Sequence, residues 1–210
     1  VIGLRTATHG FNGLKGKFAQ YNEGYDGDEA AWHGGFGEAI LGEHWVGHYG
    51  RNHRQSSRLL LEPEQQMHPI LRGVSDVHVQ CGGYNAHPRA GSTVLARGQI
   101  LNGMRPNDPP DSSKDILPVA WVRTYRADNP QSRVFATTHG ASEDITNPGF
   151  RRLLINAHLW CLGLEDAIAA DNPIDFVGPY HPTTFNFDGH RPGVKPADLA
   201  GWETAILGGE

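Results

Sequence analysis

Twelve of the 210 residues are histidine. Histidine titrates near neutrality and is the commonest metal ligand. The densest group is His44, His48 and His53, inside the stretch EHWVGHYGRNHR. His44 and His48 stand four apart and would share a helix face, but Gly47 and Gly50 argue against a continuous helix there. A catalytic zinc needs about three protein ligands and one open position. There is no HExxH and no zinc-finger spacing, so the group reads either as a divalent-metal candidate, zinc for example, or as a polar solvated loop. His9 follows the apolar run Val1-Ile2-Gly3-Leu4. In open α/β sheets, ligands bind beyond the carboxyl ends of strands, so His9 is a candidate ligand, acid/base or loop residue. His139 closes a second apolar run, with Glu143 and Asp144 just beyond it. An imidazole beside two carboxylates can move protons; equally, both acids can be solvated turn residues before a helix. Arg5 has the planar fork that holds anionic or carbonyl oxygens, or that pairs with a neighbouring acid. His68 and His87, each before a proline, read as turn residues, and His158 as helix packing.

Composition removes several classes. The charge balance is 18 Lys+Arg against 23 Asp+Glu, net −5, so no basic stripe exists to neutralise nucleic-acid phosphates. No apolar run reaches the ~20 residues of a membrane-spanning helix. Two cysteines cannot make a disulfide scaffold, so Cys81 and Cys161 read as buried thiols, and cytoplasm and periplasm both stay open. The absence of G-x-S-x-G argues against an α/β-hydrolase esterase. The absence of a P-loop or G-x-G-x-x-G leaves nucleotide binding without support.

The elements that must position these residues alternate between strands and loops. Residues 1–4 read as an apolar strand, either an N-terminal edge strand or a buried strand of a longer α/β domain. Residues 12–35, rich in Gly, Asn and Asp, read as a long irregular loop, either functional or disordered. Residues 36–41 are a short helix stopping at Gly42. Further strands are expected at 58–62, 76–80 and 92–98, and a hairpin at 117–125 and 133–138 across the Asp128-Asn129-Pro130 turn. The clearest helix is 148–164, with Asn147 as N-cap and Pro148 in its first position. Its apolar stripe runs through Phe150, Leu153, Leu154, Ala157, Trp160, Cys161 and Leu164, which suits packing on a sheet.

These pieces together resemble a family. Residues 118–121 (PVAW), 133–138 (RVFATT), Glu143-Asp144, 147–156 (NPGFRRLLIN) and Trp160 resemble the ThuA-like (trehalose utilisation) signature. Residues 1–9 (VIGLRTATH), 47–50 (GHYG) and 68–74 (HPILRGV) fit the same pattern. The resemblance implies an α/β fold: a flavodoxin-like, three-layer domain related to class I glutamine amidotransferases. In that fold the strand ending at Leu4 is internal, so residues 1–164 read as the C-terminal part of the domain. A separate chain or segment would then supply the earlier strands. Residues 165–210 read as a Pro-rich extension wrapping the domain. The amidotransferases carry a nucleophilic Cys at the turn after this strand; here the turn is Leu4-Arg5-Thr6, so thiolate glutamine hydrolysis is excluded. The family's Gly-His position is taken by Ala141, with His139 two residues earlier.

The resemblance implies a carbohydrate-utilisation protein, a hydrolase or lyase acting on a sugar or keto-sugar glycoside. The alternative is a sugar-binding or scaffold module without catalysis. The candidate catalytic set is His9, His48, Glu143 and Asp144. The substrate-binding set is Arg5, Thr6, Trp45 and His139, and the metal set is His9, His44 and His48. The partner is a small-molecule sugar, with neither nucleic acid nor membrane, and self-association is left open.

Overall fold

The structure is a computed structural model that describes residues 1–126, 128–130, 132–177, 180–184, 193 and 195. Among these, six strands form one sheet: β1 (Ile2–Leu4), β2 (Ser57–Leu61), β3 (His78–Val79), β4 (Thr93–Ile100), β5 (Leu117–Thr124) and β6 (Arg133–Thr137). The spatial order is β1-β6-β5-β4-β2-β3. β1 runs parallel to β6, and the other pairs are antiparallel. The fold is therefore mixed α/β. Among the described residues β1 has β6 as its one strand partner.

The hairpin β5–β6 shows how one sheet builds two cores. Successive side chains of a strand point to opposite faces. On β6, Phe135 joins the core cluster under the α-helix, while Val134 and Ala136 join the opposite cluster. On β5, Ala120 and Val122 belong to the first cluster, and Trp121 between them to the second. The helix α1 (Pro148–Cys161) begins as its sequence dictates, with the Asn147 side chain accepting the Phe150 N–H and Pro148 in the first turn. It buries Phe150, Leu153, Leu154 and Ala157 against the sheet. Leu164 lies past its end and is exposed, because the chain leaves the helix at Leu162.

On the opposite face, a single wide π-helical turn (Gly37–Leu41) packs Ile40 and Leu41 on Trp121, whose indole N–H donates to the Leu41 carbonyl at 2.8 Å. The turn ends at Gly42, in the left-handed region at φ 82°, a conformation that favours glycine. β3 is shorter than the expected 76–80 because Asp76 adopts φ 51° and breaks the extended run. No described helix is long and apolar enough to cross a membrane.

The described part of the C-terminal extension runs past the start of α1. The Tyr180 hydroxyl donates to the Ser142 carbonyl at 2.7 Å, and Arg151 lies over the Phe176 ring at 4.3 Å. Pro179, Phe185, Phe187, Pro192, Pro196 and Trp202, on which the wrapping expectation also drew, fall outside the described residues.

Candidate functional site

Directly after β1 the chain turns at Arg5, whose φ is 45°. A left-handed backbone at a non-glycine residue costs on the order of 1 kcal/mol and persists where surrounding structure holds it, often at functional sites. The Arg5 side chain is buried, and its guanidinium carbon stands 5.3 Å from the centre of the Tyr84 ring. The same turn carries exposed Thr6, buried Thr8 and half-buried His9. The Thr8 hydroxyl donates to the Arg5 carbonyl at 3.3 Å, closing the turn on itself.

The facing wall is a short antiparallel ribbon. Tyr49 N–H donates to the Gly83 carbonyl at 3.1 Å, Gly50 N–H to Gly82 at 2.9 Å, and Asn85 N–H to Gly47 at 3.0 Å. The approach requires glycine on both sides, since a Cβ on Gly50 would stand 2.6 Å from the Gly82 Cα. Within the ribbon His48 pairs with Tyr84, and their rings meet edge-to-face at 5.5 Å. His9 reaches both walls, 5.8 Å from Tyr84 and 5.3 Å from Trp45; Trp45 in turn lies 5.6 Å from His48. Two imidazoles, an indole and a phenol thus converge beside Arg5.

Partial desolvation lowers the pKa of both imidazoles below the ordinary histidine value, even though His48 keeps an exposed edge. For His9, Glu23 opposes this and Arg5 adds to it; for His48, the Arg5 charge and His9 add to it. Neutral imidazoles near pH 7 can accept protons. Tyr84 is buried, and burial raises its phenol above the ordinary value, with Arg5 acting in the opposite sense.

The other candidates sit elsewhere. His44 is exposed and places Nδ1 3.0 Å from a Glu38 carboxylate oxygen. Among the described residues, the group whose ligand atoms all lie within 4.8 Å of one another is Glu38, Glu43 and His44, without His9 or His48. Glu43 is buried, its carboxyl raised by that burial, and accepts backbone N–H groups from His44 and His87.

Asp144 lies in the interior at 1 % exposure. Its Oδ1 accepts Gln80 N–H at 2.8 Å and Cys81 N–H at 3.3 Å; its Oδ2 accepts Gly140 and Ala141 N–H, each at 3.0 Å, and the Cys81 thiol at 2.8 Å. Every lone pair is committed, which leaves no room for proton transfer with a ligand. His139 is fully buried beside it, with Nδ1 3.1 Å from the Cys81 sulfur. Burial first, then Arg5, lowers His139 to about 4, against the raising effect of Asp144. Burial first, then Asp144, pushes the Cys81 thiol up, the opposite of nucleophile activation. Glu143 is half-buried and accepts the Thr184 hydroxyl at 2.9 Å.

Sequence reasoning missed Tyr84 and the Cys81 network. The signal was Cys81-Gly82-Gly83-Tyr84 directly after a strand, since paired glycines there mark close backbone approach.

The family model described as ThuA, trehalose utilisation, matches residues 16–161. The chain belongs to the ThuA family. Neither the curated proteins nor the solved structures give a match to it. The ThuA match ends with α1 and takes in Trp45, His48, Tyr84, Cys81, His139 and Asp144, whereas Arg5 and His9 precede it. ThuA membership suggests a role related to trehalose utilisation.

Proposed function

We propose that this ThuA-family chain binds a sugar between His9 and His48 and acts on a sugar or keto-sugar glycoside, as a hydrolase or a lyase. The observation that carries the reading is the convergence of His9, Trp45, His48 and Tyr84 beside Arg5 at the carboxyl end of β1. Indole and phenol rings offer apolar faces to a pyranose. The two neutral imidazoles supply the base that hydrolysis or elimination needs; once protonated, the same group returns its proton to the departing oxygen. Arg5, always charged, holds an oxygen on which negative charge grows. The parallel β1–β6 pair with α1 packed beneath it is the part of the fold that supports a flavodoxin-like reading, in which ligands sit at such strand ends.

A zinc centre built from His9, His44 and His48 does not fit the donors present. His44 is engaged with Glu38 and Glu43 in a separate group, which leaves two histidines where about three ligands are needed.

The test is turnover of trehalose and of keto-trehalose by the purified chain. Replacing either His9 or His48 by Ala lowers kcat on the order of 10²-fold, with the unfolding midpoint close to wild type. Undiminished turnover in both variants overturns the assignment. Sugar binding by the wild type without any turnover makes the site that of a binding module.

A further inference from the structure

The ribbon that carries His48 and Tyr84 is joined by three backbone hydrogen bonds. It is rich in glycine, Gly47 and Gly50 on one strand and Gly82 and Gly83 on the other, a residue type that restricts the backbone least. What fixes it lies one layer deeper. Cys81, directly before the glycine pair, is fully buried and bonded at three points: its N–H and its thiol reach Asp144, and its carbonyl accepts the Ser57 hydroxyl at 2.9 Å. A carboxylate only accepts, so the thiol hydrogen points to Asp144. The sulfur is then left to accept from His139 Nδ1–H. Gly83, at φ 65°, lies on the His139 ring: a Cβ there would stand 3.0 Å from Cε1. Asp144 also gathers the Gly140 and Ala141 N–H groups, so one carboxylate ties the end of β3 to the turn after β6.

We propose that Cys81, His139 and Asp144 form a buried clamp that sets the register of residues 82–84 and, through the 47–50 pairing, holds His48 and Tyr84 opposite His9. They are positioning residues. None touches the sugar, and the sulfur serves as a fixed donor–acceptor post with no nucleophilic role. The clamp itself follows from the hydrogen bonds; its importance for turnover rests on the site reading given above.

Backbone amide exchange followed by NMR separates the two. In Cys81→Ala the Tyr49 and Gly50 amides, which donate to Gly83 and Gly82, exchange about tenfold faster or more, while the Leu153 and Leu154 amides of α1 keep their wild-type rates. Cys81→Ser, which retains a donor toward Asp144, restores protection. If Cys81→Ala does not fold, His139→Gln gives the same local pattern. Unchanged Tyr49 and Gly50 protection, or a uniform loss over the whole chain, overturns the clamp. Where protection is lost locally, kcat on keto-trehalose falls with KM little changed. Local loss with unchanged turnover leaves the clamp standing and removes the site reading.

Discussion

Two side-chain clusters lie on either side of Gly82 and Gly83, and they put the imidazole to opposite uses. On the outer side, His48 is exposed and His9 half-buried, with aromatic rings around them. On the inner side, His139 is fully buried against a thiol and a carboxylate. Read as a formula, the inner set of Cys, His and Asp is the more catalytic. Its geometry makes it the more inert, because every Asp144 lone pair is occupied and the thiol is held protonated. Access and free lone pairs, more than residue type, decide which imidazole can work on a ligand.

The largest difference between the clusters should appear in stability. Asp144→Ala strands four backbone N–H groups and a thiol, and each buried orphan costs about 1–3 kcal/mol. Urea unfolding should show a loss of at least ~3 kcal/mol, against about 0.5 kcal/mol or less for His48→Ala at its exposed position. Equal losses would erase the distinction.

Acid should expose the inner histidine next. His139 is lowered to about 4 in the folded chain and returns to the ordinary value near 6.5 on unfolding. Between those values the unfolded chain binds the extra proton, so stability rises with pH and is lost as pH falls from about 6.5 toward 4, by on the order of 3 kcal/mol. Arg5 reinforces the shift and Asp144 opposes it. His139→Gln should flatten this part of the pH–stability curve; an unchanged slope would mean that the imidazole is not held neutral.

On the outer side, Trp45→Ala should weaken trehalose binding by ~1 kcal/mol, the scale of an aromatic contact, with little change in unfolding midpoint. Isothermal titration reads the first and thermal melting the second. The smallest effect is chemical: a thiol reagent should reach half-buried Cys161 in the native chain and Cys81 only after unfolding.

Much of the frame was legible in the sequence. The Asn147-Pro148 start of α1, the β5–β6 hairpin and the stop at Gly42 follow from caps, alternation and glycine, which act over a few residues. His9 and His48 were readable as candidates because one follows a strand and the other lies in a histidine-dense loop. Their meeting depends on the Gly50–Gly82 approach, a contact between segments 32 residues apart that no local pattern encodes. The burial of Asp144 is hidden from the sequence for the same reason. Beside Glu143 in a polar turn it resembles a solvated acid, and only the folded chain shows Gln80 and Cys81 turning their N–H groups toward it. The parallel pairing of β1 with β6 joins segments more than 130 residues apart, and Val1-Ile2-Gly3-Leu4 alone does not name that partner.

The most direct measurement is a trehalose titration of histidine-ring-labelled protein followed by NMR. The account expects the His9 and His48 ring signals to move together and saturate at one affinity, while His139 and His158, bonded inside the chain, stay still. Saturable binding that leaves His9 and His48 unmoved and shifts His44 or another histidine would contradict it.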